Sequence, residues 1–291
     1  MQGEKYWGRA WSLVDGCTPV SEACDHCWLE AQNKRFKKWE SGTVTPREDR
    51  LHIPLKTRKP TVFAVWSDLF HEAVPFSFID VVFAAMAIAT QHTFLVLTKR
   101  PERMVEWYEF KNLAWANEGM RGPERIRYQT YHHFGKDIDF SDWKWPLPNV
   151  WHGTTVENQE QANKRILHLL KVPGKKFLSI EPMLGPVDLG LDKTERIDAV
   201  ILGGEIGRGA RPMHPGWARS VRDQCQAAGV PFFFTQWGEW LPLNQTNPHT
   251  VCSDYWYWLS GNPSEAIIRV GKKSAGRILD GRTHDELAWL K

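Results

Sequence analysis

The stretch TVFAVWSDLFHEAVPFSFIDVVFAAMAIATQHTFLVLTKRPERMVEWYEF, residues 61–110, decides the fold of this chain. TVFAVW (61–66) and TFLVLT (93–98) are short, nearly continuous apolar runs, the pattern of strands buried on both faces. Each gives way to polar loop residues and then to a helical pattern, FSFIDVVFAAMAIAT after the first and PERMVEWYEF after the second. Successive βα units imply parallel strands joined by crossover helices. The alternation continues downstream. NVWHGTTV (149–156) leads into ENQEQANKRILHLL, where Ile166, Leu169 and Leu170 fall at helical spacing, and KFLSI (176–180) leads into EPMLGPVDL. DAVILGG (198–204) leads into a glycine-rich loop and a helix over 215–228, and PFFFTQW (231–237) comes last. With a first strand near WSLVD (11–15), the pattern gives about seven repeats, which predicts an α/β fold with a complete or partial (β/α) barrel. A doubly wound open sheet is the alternative. Residues 1–237 then form the barrel, with a charged, aromatic insertion at about 113–148, and residues 238–291 form a C-terminal extension packed on it.

Hydrophobic residues at 42% and charged residues at 24% are ordinary for a globular protein, so disorder is not expected. MQGEKYWGRAW at the N-terminus lacks the apolar core of a signal peptide, and no run reaches the roughly 18 apolar residues of a membrane span. The expectation is a cytoplasmic protein without membrane association. A net charge of +3 does not advertise a polyanion partner. KRFKK (34–38), KTRK (56–59) and RGPERIR (121–127) are local basic runs, read first as solvated faces. Some of the 16 tryptophans could stack on bases, though most are expected to fill core and loop gaps.

In parallel α/β architectures the reactive groups sit on loops after the C-terminal ends of strands. That rule selects Cys17, Cys24 and Cys27 after the first strand, Ser67 and Asp68 after the second, and Thr98, Lys99 and Arg100 after the third. Glu157 and Asn158 follow the fourth strand, Glu181 the fifth, Gly203, Gly204 and Glu205 the sixth, and Gln236 the seventh. GGEIGRGARP (203–212) lacks G-x-G-x-x-G, so a close backbone approach to a ligand, flanked by Arg208 and Arg211 as an anion clamp, is preferred to a dinucleotide fingerprint. Among the scattered histidines, His71 within SDLFHE is the one to test first.

Three of the five cysteines fall in GCTPVSEACDHCW (16–28), spaced C-x6-C-x2-C, while Cys225 and Cys252 lie far downstream. In a reducing compartment a clustered, odd set of thiols reads as metal-binding or catalytic. A four-iron cluster held by three thiolates leaves one iron open to a cofactor. A structural zinc needs a fourth ligand, His26 or a distant histidine, and His26 is disfavoured by its place between Asp25 and Cys27. Burial as small apolar residues is the third reading. Cys225 reads as helix packing, and Cys252 has no clear role beyond a possible radical-relay thiol.

A three-cysteine loop after the first strand of a βα barrel resembles the radical S-adenosylmethionine (SAM) superfamily, whose usual spacing is C-x3-C-x2-C. Seven ordered blocks, from WSLVDGCTPVSEACDHCW through FLSIEPMLGPVDL to CQAAGVPFFFTQWGEW, are similar to a phage-encoded, radical-SAM-like family of unknown function. The resemblance implies a [4Fe-4S] cluster on Cys17, Cys24 and Cys27, SAM as cofactor, and an electron donor such as flavodoxin or ferredoxin. It further implies that Ser67 and Asp68 meet the SAM amino group, that Thr98, Lys99, Glu157, Asn158, Gly203, Gly204 and Glu205 line the cofactor, and that Glu181 acts at the reacting centre. His71, Arg100, Arg208, Arg211 and Gln236 are then left for the substrate. The family setting points to DNA or a modified nucleotide in a phage-infected cell, for example radical isomerisation of an amino-acid-modified thymidine. A radical DNA-lesion lyase and a zinc-stabilised, non-catalytic DNA-binding or adaptor protein are the alternatives.

Overall fold

The computed structural model describes residues 5–40, 42–110, 120–138, 144–191, 197–246, 256–257, 266–287 and 289. In chain order the strands are β1 (Arg9–Ala10), β2 (Val14–Asp15), β3 (Thr45–Pro46), β4 (Val62–Val65), β5 (Thr93–Thr98), β6 (Val150–Thr155), β7 (Lys175–Ile180), β8 (Ala199–Gly203), β9 (Phe232–Gln236), β10 (Trp240–Pro242), β11 (Trp256–Tyr257) and β12 (Ile267–Arg269). The helices are α1 (Trp28–Phe36), α2 (Ile53–Lys56), α3 (Phe76–Ile88), α4 (Pro101–Glu109), α5 (Gly122–His132), α6 (Gln159–Lys171), α7 (Pro215–Ala228) and α8 (Lys272–Ala275).

Seven strands form one parallel sheet in the order β1-β4-β5-β6-β7-β8-β9, curled into a half-barrel. The order never reverses, so there is no topological switch point, and the doubly wound alternative does not apply. The sheet stays open, with β1 and β9 at its two edges, so the barrel is partial. The β9 edge is partly covered by the tail. Phe233 bridges Asp285 in antiparallel sense, and the Phe234 N–H donates to the His284 carbonyl at 3.1 Å.

The period-2 alternation of the strands sorts their side chains onto two faces. Phe94 and Val96 of β5 join Val82, Phe83 and Met86 of α3 and Met104 and Trp107 of α4 in one buried cluster. Val200 and Leu202 of β8 and Phe232 and Phe234 of β9 join Ala218, Val221 and Cys225 of α7 in a second. The residues between them point the other way: Leu95, Trp151, Phe177, Ile201 and Phe233 line the concave face, where Tyr6, Leu287 and Trp289 pack on them. The helices therefore cover the convex side, and both ends of the chain fill the concave side.

The first strand is not where the apolar run suggests. WSLVD (11–15) was expected to enter the sheet, but Arg9–Ala10 does so, pairing with Phe63 and Ala64 of β4. Val14–Asp15 instead pairs antiparallel with Thr45–Pro46. Trp11, Leu13 and Val14 are apolar because they are buried against the helix-side core, and burial leaves the same sequence mark as sheet membership.

The described part of the insertion is anchored in the outer helical layer. Helix α5 packs on α3, Ile126 lies in the helix-side core, and the buried Arg125 Nε pairs with Asp80 Oδ2 at 3.0 Å. Trp107 Nε1 donates to the same carboxylate at 2.8 Å. Among the described residues no helix is long and apolar enough to cross a membrane.

Candidate functional site

Gly16 adopts φ +84°, and a Cβ there would run into the Thr43 carbonyl, so only glycine turns the chain cleanly out of β2. Beyond that turn Cys17, Cys24 and Cys27 occupy one loop, with a single 3-10 turn at Glu22–Cys24 and Cys27 in the N-cap position of α1. All three thiols are half-buried and unbridged.

The loop after β5 grips the start of this segment. Arg100 is almost fully buried, and its Nη2 donates to the Thr18 hydroxyl at 2.8 Å and the Thr18 carbonyl at 3.2 Å. Its Nη1 reaches Asp68 Oδ2 at 2.7 Å and Cys17 Sγ at 3.9 Å, and its Nε reaches Glu72 Oε1 at 2.8 Å. Asp68 is itself saturated, accepting from Thr98 Oγ1 at 2.5 Å and from the Phe70 N–H at 3.2 Å. His71 Nδ1 accepts from the Ala73 N–H, which assigns the proton to Nε2 and lets it donate to Thr18 Oγ1 at 2.8 Å. Burial, with the Arg100 charge beside it, lowers the His71 pKa and favours this neutral form.

The two cation contacts leave two thiols in different states. Burial and the Asp68 charge push Cys17 up to about 11 in spite of Arg100, so this thiol keeps its proton at neutral pH. Burial also raises Cys24, but the Lys99 ammonium 3.4 Å from its sulfur and backbone hydrogen bonds at Val20 and Ser21 outweigh that effect, and its pKa ends below the ordinary value. Cys24 is thus the more thiolate-like of the two.

Two further loops hold the middle of the segment. Asn158 caps α6 by accepting from the Gln161 N–H at 3.0 Å, and its amide donates to Glu22 Oε1 at 2.5 Å. After β8, the buried Glu205 takes Arg211 on both oxygens, at 2.6 and 2.9 Å, and pairs with His26 Nδ1 at 3.1 Å. Arg211 continues to the Glu22 carbonyl at 3.0 Å. Burial pushes the Glu205 carboxyl up, yet these donors hold it below the usual carboxylate range. The loops after β5, β6 and β8 therefore converge on the cysteine segment.

Glu181 lies apart, at the concave face. Its carboxylate accepts from Tyr6 Oη at 2.7 Å, Thr235 Oγ1 at 2.9 Å and Ser179 Oγ at 3.4 Å, while burial raises its pKa. Tyr6 stands edge-on to Trp66, which in turn meets Trp7, so an aromatic wall flanks this carboxyl. The glycines after β8 have a local reason. A Cβ on Gly203 would strike Thr235 Oγ1, and one on Gly204 would strike the Trp237 carbonyl, so the chain itself fills the space expected to admit a ligand.

The remaining expected residues are dispersed. Ser67 Oγ is turned inward and accepts from the Val14 N–H at 3.3 Å. Glu157 is fully buried, with Oε2 on Arg165 Nη1 at 2.7 Å and Oε1 without a partner. Arg208 is exposed between Gly207 and Gly209, and Gln236 ends β9, its carbonyl accepting from the Gly204 N–H. Cys225 packs in the α7 core as expected, and Cys252 lies outside the described residues. Sequence reasoning missed Tyr6, Thr18, Glu22 and Thr235. Only Thr235 left a signal, since it shares the inward alternation with Phe233 in PFFFTQW.

The donor set fits an iron–sulfur cluster in type: three thiols on one loop, with Lys99 beside Cys24 and Arg100 beside Cys17. Among the described residues no group of three or more His, Cys, Asp or Glu side chains is placed to hold a metal ion. A cluster spreads its thiolates over separate irons. His26, the nearest candidate for a fourth zinc ligand, is engaged with Glu205.

Comparison with curated proteins gives no match, and comparison with solved structures gives none. The model of a protein family of unknown function, DUF5131, matches residues 4–288. Since that match leaves out only a few residues at each end of the 291, the chain belongs to the DUF5131 family.

Proposed function

We propose that the protein is a radical SAM enzyme acting on a DNA base, with Cys17, Cys24 and Cys27 as ligands of a [4Fe-4S] cluster. Such a cluster, re-reduced by an external electron donor, would supply the single electron that splits the C–S bond of SAM into methionine and a 5'-deoxyadenosyl group able to take a hydrogen atom from the substrate. One observation carries the reading. Three separate loops of the half-barrel commit Arg100, Lys99, Asn158 and Arg211 to a single three-thiol segment that contributes little to the core.

Each residue has a definable task. Arg100 fixes the start of the loop through Thr18, and the Asn158 and Arg211 contacts to Glu22 fix its middle. Lys99 lowers the cost of a thiolate at Cys24 and stays beside that sulfur as a hydrogen-bond donor. Glu181, with its raised pKa and three hydroxyl donors, can hold a proton at the concave mouth and orient a polar group of the substrate against the Trp66 wall. Isomerisation of an amino-acid-modified thymidine suits such chemistry, because it needs an unactivated C–H bond to be opened.

The test is anaerobic reconstitution followed by iron and sulfide analysis, detection of 5'-deoxyadenosine with SAM and reductant, and mass spectrometry of nucleosides from treated DNA. The expected product is a brown protein whose iron is lost in Cys17→Ala, Cys24→Ala and Cys27→Ala. A colourless protein holding one zinc per chain would refute the cluster. Formation of 5'-deoxyadenosine without any altered nucleoside would refute the DNA substrate alone.

A further inference from the structure

Helix α1 follows directly on Cys27 and buries little of itself. Asn33 is its one buried residue, and Trp28, Ala31, Gln32 and Arg35, which share a face at helical spacing, are all exposed. Of the seven large apolar side chains exposed among the described residues, Val20, Trp28 and Phe36 fall on this helix or on the cysteine loop before it. Trp28 is 44% and Phe36 55% exposed.

Four cations, Lys34, Arg35, Lys37 and Lys38, surround the end of the helix, and none of them forms an ion pair among the described residues. Arg35 and Lys38 sit over the Phe36 ring, 5.1 and 5.4 Å from its centroid. Glu30 and Glu40 are the acids of residues 28–40, leaving the segment positive. Lys37 closes the helix in the left-handed conformation, φ 46° and ψ 49°, a position where glycine is the unstrained choice. Retaining a lysine there keeps a charge at the cost of backbone strain.

We infer that α1 and its basic cap form a docking surface for single-stranded nucleic acid, which passes Phe36 and Trp28 on its way to the cysteine loop. The juxtaposition is the one such strands require: cations for phosphates and exposed ring faces for bases. A duplex would hide its base faces from Trp28 and Phe36, so the single strand is favoured. At about 1.5 Å per residue, the basic cap lies on the order of 12 Å from Cys27, close enough for one strand to span both. The inference rests on the nucleic-acid reading above and places the contact on the cysteine side of the molecule.

The test uses the full chain without added iron, titrated into a fluorescently labelled oligothymidine at several salt concentrations and followed by anisotropy. Single-strand contacts change the log–log salt slope by about 0.7 per phosphate neutralised, so K34Q/R35Q/K37G/K38Q should flatten it by about 2 to 3. W28A/F36A should bind at least about thirtyfold more weakly with the slope unchanged. Lys37→Gly alone relieves the left-handed strain, so it should fold at least as well as the parent while losing part of the slope. Unchanged affinity and slope in the quadruple variant and in K37G would overturn the surface, and equal affinity for the duplex would overturn the single-strand assignment. Either failure leaves iron content and deoxyadenosine formation untouched, so it is distinguishable from failure of the radical reading.

Discussion

Arg100→Met tests the idea that the loop after β5 organises the cysteine segment. The native guanidinium is nearly buried, and so is its partner Asp68, with side-chain exposures of 3% and 8%. The Glu72 contact reaches a carboxylate 66% exposed and counts for little, about 0–1 kcal/mol. The Asp68 pair is different: removing one member strands a buried charge, which costs about 3–5 kcal/mol. Against a total stability of about 5–15 kcal/mol, the variant should remain folded but markedly weakened. Thr18 loses both Arg100 contacts at the same time and keeps the His71 donor on its hydroxyl, so the start of the loop should loosen. Urea unfolding followed by tryptophan fluorescence reads the first effect, and iron bound per chain after anaerobic reconstitution reads the second. The double variant D68N/R100M should cost less than the sum of the two single variants, because the stranded charge is gone. A loss below about 1 kcal/mol for R100M, or strictly additive variants, would refute the reasoning.

Three other outcomes follow from the same contacts. His152 is fully buried and neutral, with Nε2 accepting from Tyr108 Oη at 2.7 Å, and burial pushes its pKa down to about 4. The unfolded chain takes up this proton below about pH 6.5 and the folded chain does not, so stability should fall by about 2 kcal/mol between pH 7 and 5. A His152 imidazole titrating near 6.5 by NMR in the folded protein would rule that out. Gly203→Ala should destabilise by about 1–3 kcal/mol by driving its methyl into Thr235 Oγ1, and Gly203→Ala with Thr235→Ala should recover part of that loss in thermal unfolding. Arg211→Ala leaves the buried Glu205 with His26 as its remaining side-chain partner, so it should lower both stability and iron retention; intact iron retention would detach this clamp from the site.

Particular elements separate what was legible from what was not. TFLVLT is β5 residue for residue, and the helix expected over 215–228 is α7, because strand and helix periodicities are local and survive in any window of the sequence. WSLVD misled because Trp11 and Val14 are apolar for tertiary reasons. At the site, the rule that strand ends carry chemistry selected Arg100 and Asn158, and the glycine-rich turn after β8 selected Arg211, all three as contacts to a cofactor or substrate. In the structure each of them also donates to the cysteine segment. Tyr6 could not have been found, since its partner Glu181 is distant in sequence and nothing local marks the pairing.

The sequence by itself determined the βα alternation, the parallel sheet and the gathering of three thiols behind its first strand, since each is written in neighbouring residues. Only the tertiary structure decided that the sheet stays open, that the tail fills its concave face, and that Lys99 rather than another cation meets Cys24. Those outcomes depend on groups brought together by packing across the whole chain. Their energies come from burial and from charge pairs at a few ångströms, distances that no spacing along the sequence encodes.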